Sequence, residues 1–109
     1  MKKYDSMQAF LQDLPGLASN NREKLRGQSG LFELETKQGL RLWVRMEDGA
    51  ITLPETAPAE KPDCTVTADE KDLLAMINGE LSPVKAILFG KVKVKGNKGL
   101  LMKLAALMG

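Results

Sequence analysis

Apolar and polar positions alternate with two different periods along the 109-residue chain, and the change of period separates helical from extended segments. The segment Tyr4–Leu14 places four apolar residues on one helical face, at the spacing i, i+3, i+4 and i+7: Met7, Phe10, Leu11 and Leu14. Pro15-Gly16 is expected to interrupt this helix, because proline removes a backbone donor and crowds the preceding turn. A second helical piece is predicted over Leu17–Leu25.

Two strands joined in a hairpin follow. The alternating segments Leu31–Thr36 and Leu40–Met46 flank a three-residue loop in which Gly39 takes the left-handed conformation. The register gives three facing pairs, of which the first two lie on an apolar face and the third on a charged face: Phe32–Val44, Leu34–Leu42 and Glu35–Arg41.

A second turn, Asp48-Gly49, carries the same apolar face into a third strand and sets Met46 opposite Ile51. Trp43 falls on the charged face, where it is either covered by another element or half exposed. The proline-rich segment over residues 54–62 is too polar to pack and is predicted to be a loop.

The chain then alternates between strands and short helices. Cys64, Val66 and Ala68 point to one side of a fourth strand. Thr67 and Glu70 have the spacing of a capping box at the start of the next helix, although Asp69 could cap it instead, and Asn78-Gly79 ends that helix. Ser82-Pro83 starts another helix, with proline in the first turn. Its buried side is expected to consist of Val84, Ile87 and Leu88.

Lys91–Lys95 alternates lysine with valine and is predicted to be a fifth strand, after which Asn97 caps a last helix over Gly99–Met108. The strands mostly follow one another directly and the helices are grouped, which indicates an α+β fold. We expect one domain over residues 1–109, with a five-stranded, mainly antiparallel sheet and the helices packed on one face.

Composition removes most catalytic chemistry. The chain has no histidine and a single cysteine, so it holds no Ser-His or Cys-His pair and no ordinary zinc ligand set. Neither of the glycine-rich phosphate-binding motifs is present. We therefore expect no enzymatic activity, no catalytic residue, no metal and no cofactor.

The net charge argues against a nucleic-acid partner, and the hydropathy of the chain favours a cytoplasmic protein. The net charge of +2 gives no bulk field that would attract nucleic acid. No apolar run approaches the ~20 residues of a membrane span, and the Met-Lys-Lys start lacks the apolar stretch of a signal peptide.

The lysine-rich fifth strand has two interpretations. It could bind phosphates, with Trp43 stacking on a base. However, lysine is also typical of an edge strand that avoids pairing with other chains, and no second basic cluster accompanies it. We favour a solvated edge and no nucleic-acid partner.

The last helix carries apolar residues on more than one side, which exceeds the stripe needed to cover a sheet. The surplus can pack in the core, dock on a partner chain or a membrane surface, or line a ligand cavity. Core packing is the simplest of these interpretations, and composition alone does not separate it from a cavity.

The segment Pro62–Met108 resembles the second half of the sterol carrier protein-2 (SCP-2) family of lipid-transfer domains. The resemblance is carried, in order along the chain, by Asp63-Cys64-Thr65, Asp69-Glu70, the Leu74–Gly79 turn, Ser82-Pro83 and the block GKVKVKGNKG at residues 90–99. The first half agrees more loosely, through a helix, a strand that begins at Gly30-Leu31-Phe32 and a strand that carries Trp43.

The resemblance implies that the sheet and helices enclose a hydrophobic tunnel for a fatty acid, fatty acyl-CoA, sterol-like lipid or phospholipid. Carried over by position, the implied ligand-binding lining is Phe32, Leu34, Leu42, Val44, Met46, Val66, Leu74, Ile77, Ile87, Leu88, Val94, Leu101, Met102, Leu104 and Met108. We expect a monomer or weak homodimer that can contact membranes transiently. The alternative is an interaction or accessory module whose C-terminal helix docks on a partner chain or a second copy.

Two departures from the family pattern are the ending of the chain and the segment Val84–Leu88, which is wholly aliphatic where family members often have aromatic residues. The ending Leu-Met-Gly lacks the peroxisomal signal of many eukaryotic members, which supports the cytoplasmic expectation. The N-terminal apolar face, with Lys2 and Lys3, could contact an anionic membrane, but packing on the sheet is the favoured expectation.

Overall fold

The computed structural model describes the backbone of residues 3–105 and the side chains of residues 3–102. The predicted α+β class with a five-stranded sheet is confirmed. In chain order, the elements are α1 (Met7–Asn20), α2 (Arg22–Leu25), β1 (Gly30–Thr36), β2 (Arg41–Glu47), β3 (Ala50–Thr52), β4 (Cys64–Ala68), α3 (Glu70–Ile77), α4 (Pro83–Leu88), β5 (Val92–Gly96) and α5 (Lys98–Ala105).

The sheet has the strand order β3-β2-β1-β4-β5, with three antiparallel pairings and one parallel pairing between β1 and β4. The chain must therefore cross the sheet between β3 and β4. Successive side chains of a strand point to opposite faces, so Arg45 lies on the face opposite Val44. Its ion pair with Glu60, at 2.9 Å, holds the proline-rich loop on that outer face and leaves the inner face to the helices.

Both predicted hairpin registers are confirmed: Phe32 faces Val44, Leu34 faces Leu42, and Met46 faces Ile51. On the outer face, Arg41 lies opposite Glu35 as expected, but its guanidinium donates to the Glu33 carboxylate, with Nη2 2.7 Å from Oε2. A long side chain can reach a diagonal neighbour, and Glu33 is the more buried of the two acids.

The half-buried indole of Trp43 lies beside this pair. The Arg41 guanidinium carbon is 5.5 Å from the ring centroid, so the ring carries a cation on one side. Trp43 thus adopts the half-exposed alternative considered for it.

The predicted interruption of the first helix at Pro15 is wrong. The helix α1 runs unbroken from Met7 to Asn20 and contains Pro15 in its interior. Leu14 and Ala18 lie one turn apart on the same buried face as Phe10. Their burial offsets the backbone hydrogen bond that proline cannot make.

Four helix starts are capped by side-chain oxygens. Ser6 caps α1 by accepting from the Ala9 backbone N–H at 3.1 Å. Asp69, rather than Thr67, caps α3 by accepting from the Lys71 backbone N–H at 2.9 Å. Ser82 caps α4, and Asn97 caps α5 by accepting from the Leu100 N–H at 3.0 Å.

The expected buried side of α4 is wrong for two residues. Ala86 is fully buried, whereas Val84 is 63% exposed and Leu88 is 75% exposed. A helix of six residues makes fewer than two turns and can turn only a narrow face inward. The methyl side chain of Ala86 occupies that face and lets α4 lie close to β5.

The last helix begins one residue earlier than predicted, and its expected final residues, from 106 onward, lie outside the described part of the chain. Leu100 and Leu101 are buried against the sheet. A Cβ at Gly30 would overlap the Leu100 side chain, so β1 begins with a glycine where α5 crosses it. Among the described residues, no helix is both long enough and apolar enough to cross a bilayer.

Candidate functional site

An apolar cavity of about 300 Å³ lies between the inner face of the sheet and the helices. Small-molecule sites usually enclose about 300 to 1,000 Å³, so this volume falls at the lower end of their range. The lining consists of Met7, Phe10, Leu11, Leu14, Phe32, Glu33, Leu34, Val44, Val66, Leu73, Met76, Ile77, Gly79, Leu81, Ser82, Pro83 and Leu101.

The sheet supplies one wall through three adjacent strands. Phe32 on β1 pairs with Val44 on β2, and Leu34 on β1 pairs with Val66 on β4. All four side chains point to the inner face because they occupy alternate positions of their strands. The central position of β1 thus brings into one wall residues that are far apart in sequence.

The helix α1 forms the opposite wall, and the side chain of Asn78 holds the segment that leads into it. The Tyr4 backbone N–H donates to Asn78 Oδ1 at 2.7 Å, and Asn78 Nδ2 donates to the Tyr4 carbonyl at 2.9 Å. The Tyr4 ring also meets Phe10 edge to face, with centroids 5.4 Å apart. These contacts join the start of α1 to the end of α3 beside the cavity.

Glu33 and Ser82 are the polar residues of the described lining that carry an ionisable or hydroxyl side chain, and both side chains are already bonded. The Glu33 side chain points to the outer face of the sheet, because Glu33 alternates with the inward-facing Phe32 and Leu34. The Glu33 carboxylate accepts from Arg41, and this hydrogen bond, together with the negative charge, raises the pKa of Arg41. Ser82 Oγ accepts the Lys85 N–H as the cap of α4. Within residues 3–102, no buried polar side-chain atom lacks a hydrogen-bond partner, and no cluster of acids or cysteine is arranged to hold a metal ion.

The cavity brings together part of the lining predicted from the resemblance: Phe32, Leu34, Val44, Val66, Ile77 and Leu101. Other residues of that set lie away from it: Leu42, Met46, Leu74, Ile87, Leu88, Val94 and Met102. The Leu104 side chain and the whole of Met108 lie outside the described residues. A ligand-binding role stays a prediction for the entire set.

The residues set apart from the cavity have different surroundings. Met46 is buried at the β3 side of the sheet, where it faces Ile51. Leu42, Leu74, Ile87 and Val94 are half-buried at the margin of the core, and Leu88 points to solvent.

The main part of the lining that the sequence did not identify is the wall from α1: Met7, Phe10, Leu11 and Leu14. The helical spacing of these residues indicates an apolar face, but a face that packs on a sheet and one that lines a cavity have the same pattern. Leu73 and Met76 of α3 were also missed, as were Leu81, which lies in the α3–α4 turn, and Pro83, the first residue of α4.

Comparison with known proteins assigns the chain to a family. The sequence model of the SCP-2 sterol transfer family matches residues 3–109. Sterol carrier protein 2 of Rattus norvegicus is 35% identical over 98 residues, which cover 84% of this chain but only 17% of the rat protein. The chain therefore spans a small part of the length of this curated relative.

Two solved structures share the fold. The sterol carrier protein domain 2 of Helicoverpa armigera is 30% identical, with a TM-score of 0.61, and the match covers 92% of this chain and 83% of that one. The palmitated SCP2L2 protein of Aedes aegypti is 23% identical, with a TM-score of 0.71 and 94% of both chains covered. The chain belongs to the SCP-2 sterol transfer family, a family of lipid-binding and lipid-transfer domains.

Proposed function

We propose that this domain binds and carries the apolar part of a lipid in its cavity and catalyses no reaction. The observation that carries the proposal is the cavity of about 300 Å³, lined almost entirely by apolar residues. Transfer of an acyl chain from water into such a site is favourable by about 0.8 kcal/mol per buried CH₂. Fatty acid, fatty acyl-CoA, sterol-like lipid and phospholipid all present apolar groups to such a cavity.

The composition of the helical wall supports an acyl chain of variable shape. Met7 on α1 and Met76 on α3 line the cavity from two sides. Methionine side chains adapt to irregular apolar surfaces because they are unbranched and flexible. The A. aegypti neighbour was solved in a palmitated form, which supports a fatty acyl group as the first ligand to test.

The chemistry of the lining supports carriage without reaction. A general base or nucleophile must be free to meet the reacting atom. Glu33, the one ionisable residue of the described lining, points its carboxylate to the outer face of the sheet, where Arg41 binds it. Ser82 serves as a helix cap and has no histidine to activate it.

The proposal predicts that a side chain which fills the cavity weakens lipid uptake. Leu11→Trp enlarges a lining residue of α1, and Leu17→Trp is the matched control because Leu17 is a half-buried leucine of the same helix outside this cavity. Displacing two methylenes of an acyl chain costs about 1.6 kcal/mol, so the affinity of the Leu11→Trp protein should fall by more than about tenfold. Titration with a fluorescent fatty acid measures the change.

Native mass spectrometry and lipid extraction of the purified protein complete this test. The proposal is wrong if the wild-type protein neither retains nor takes up any lipid. Equal losses in Leu11→Trp and Leu17→Trp would show that the ligand lies elsewhere.

A second candidate function is an accessory module that works beside an enzyme. The observation that favours it is the small share, 17%, of the rat relative that this chain covers. Docking through α5 finds no support in its described side chains, because Leu100 and Leu101 are buried in the chain's own core. Light scattering and co-purification test this function, and a strict monomer without a partner that takes up lipid would exclude it.

A further inference from the structure

A cluster of exposed apolar side chains lies on α4. Three of the four large apolar side chains that are exposed in the described part of the chain fall within six residues: Val84 at 63%, Leu88 at 75% and Phe89 at 66%. We call these three residues the α4 patch. Single exposed apolar residues are normal on protein surfaces, but a contiguous group marks an interaction site.

The backbone presents the α4 patch rigidly. Ser82 caps the start of the helix, and Ala86 anchors its inner side in the core. At the other end, the Phe89 N–H donates to the Lys85 carbonyl at 2.9 Å, and the Lys91 N–H donates to the Ala86 carbonyl at 2.9 Å. The apolar side chains are therefore held outward by a closed turn.

The patch adjoins the rim of the cavity. Leu81, Ser82 and Pro83 line the cavity and immediately precede Val84. A surface that covers the α4 patch would consequently also face the cavity at its α3–α4 end.

The charges that follow residue 80 along the chain, including those next to the patch in sequence, have one sign. No acidic residue follows Glu80 in the chain, whereas residues 81–109 contain six lysines. Lys85 and Lys91 flank the patch, and both are exposed. A complementary surface must therefore be apolar within and negatively charged at its edge.

We propose that the α4 patch docks on an anionic lipid bilayer. Its three side chains enter the interfacial region while Lys85 and Lys91 meet the lipid phosphates. This inference rests on the proposed function, because docking would bring the cavity rim to the source of the carried lipid. Three side chains fall short of the roughly 800 Å² that a stable protein interface buries on each partner, whereas a few inserted side chains and lysines suffice for reversible membrane contact.

The apolar face of α1 is not available for this role. Met7, Phe10 and Leu14 are buried against the rest of the chain, as the favoured expectation of packing requires. Membrane contact through that face would require α1 to leave the core.

Vesicle flotation tests the α4 patch. The wild-type protein is expected to float with vesicles of phosphatidylcholine and phosphatidylglycerol and to bind pure phosphatidylcholine more weakly. Val84→Ser/Phe89→Ser should reduce binding by at least about tenfold. Leu40→Ser, which removes an exposed leucine from the β1–β2 loop, should bind as the wild type does.

A second pair of variants tests the contribution of the lysines to membrane binding. Lys85→Gln/Lys91→Gln should weaken binding to the anionic vesicles by about tenfold, because each lysine near an anionic membrane adds favourable electrostatic free energy. Lys24→Gln/Lys61→Gln removes the same charge from exposed positions outside the α4 region and should have a much smaller effect.

Uptake of a fluorescent fatty acid from vesicle-free solution separates this inference from the proposed function. Val84→Ser/Phe89→Ser should keep wild-type uptake, since neither side chain lines the cavity. Uptake without any vesicle binding would contradict membrane docking by the α4 patch but would be consistent with the proposed carrier function. Undiminished vesicle binding by Val84→Ser/Phe89→Ser, or a dimer that this variant abolishes, would also contradict membrane docking by the α4 patch. Vesicle binding that depends on the α4 patch, without fatty-acid uptake, would support membrane docking and contradict the proposed carrier function.

Discussion

Single residues determine how closely the strands and helices of this domain approach one another. Asp63 connects three strands: its N–H donates to the Leu31 carbonyl at 2.8 Å, its carboxylate accepts from the Leu31 N–H at 2.8 Å, and its carbonyl accepts from the Asn97 N–H at 2.9 Å. Gly96 lies against the same carbonyl with φ of +94°. The sequence shows Asp63 and Gly96 as part of a family-like pattern, but it cannot show that they touch.

Gly96→Ala is expected to lower the free energy of unfolding by about 2 kcal/mol or more. The added Cβ would overlap the Asp63 carbonyl, and a left-handed conformation alone costs an alanine roughly 1 to 2 kcal/mol. Gly16→Ala is the matched control, because a Cβ there meets nothing within 4 Å and alanine favours the helix by about 0.5 to 1 kcal/mol. Urea denaturation of both variants measures the difference, and equal effects of the two substitutions would contradict the role assigned to Gly96.

Helices and strands could be predicted where their sequence pattern is local. They were harder to predict where tertiary packing determines their length or orientation. The hairpins follow from alternation and turn residues that lie within a few positions of one another, and their registers are confirmed. The continuity of α1 through Pro15 depends on the burial of Leu14 and Ala18, which is a tertiary effect. The orientation of α4 depends in the same way on how closely Ala86 approaches the neighbouring strand.

The attachment of α1 to α3 predicts a large effect of Asn78→Ala. The Tyr4 N–H and carbonyl would both lose these hydrogen bonds at a buried position, and the stability should fall by about 2 to 4 kcal/mol. Asn21→Ala, which removes one partly buried bond to the Leu17 carbonyl, should cost about 1 kcal/mol. Amide hydrogen exchange in α1 should accelerate in Asn78→Ala, and unchanged protection there would show that Asn78 does not anchor the helix.

At the scale of the whole molecule, the sequence indicated the class of fold and the inner face of the sheet, because alternating strands and family-like motifs carry that information. It did not indicate the boundary of the cavity, which depends on the spacing between layers. Met46 and Phe32 have the same strand pattern, yet only Phe32 meets the void. A single domain over residues 1–109 and a cytoplasmic location stay predictions.

The reactivity of the Cys64 thiol measures how fast the native protein unfolds. It is fully buried in β4, and burial, assisted by the negative charge of Asp63, raises the pKa of its thiol. A thiol reagent at pH 8 should therefore react with the native protein only as fast as it unfolds, and fast reaction in buffer would contradict this burial.

The same shift predicts an alkaline loss of stability. The neutral thiol is favoured in the folded state, so its contribution is complete below about pH 9 and is lost as the pH rises through the folded-state pKa. Cys64→Ala should lack this part of the loss when unfolding is followed from pH 7 to pH 10. If the stability of the wild-type and Cys64→Ala proteins depended on pH identically, a contribution of the thiol would be excluded.

The pairing of Glu33 with Arg41 has a consequence for how an amphiphile would sit. Among the described lining residues there is no lysine or arginine, and the Glu33 carboxylate lies on the outer face of the sheet, bound to Arg41. A phosphate or carboxylate head would find no counter-ion within and would forfeit its hydration, so the guest must enter tail first and leave its head in water. The domain would then select lipids by the shape of their apolar chains. Their head groups would be recognised only by a surface that contacts the rim of the cavity.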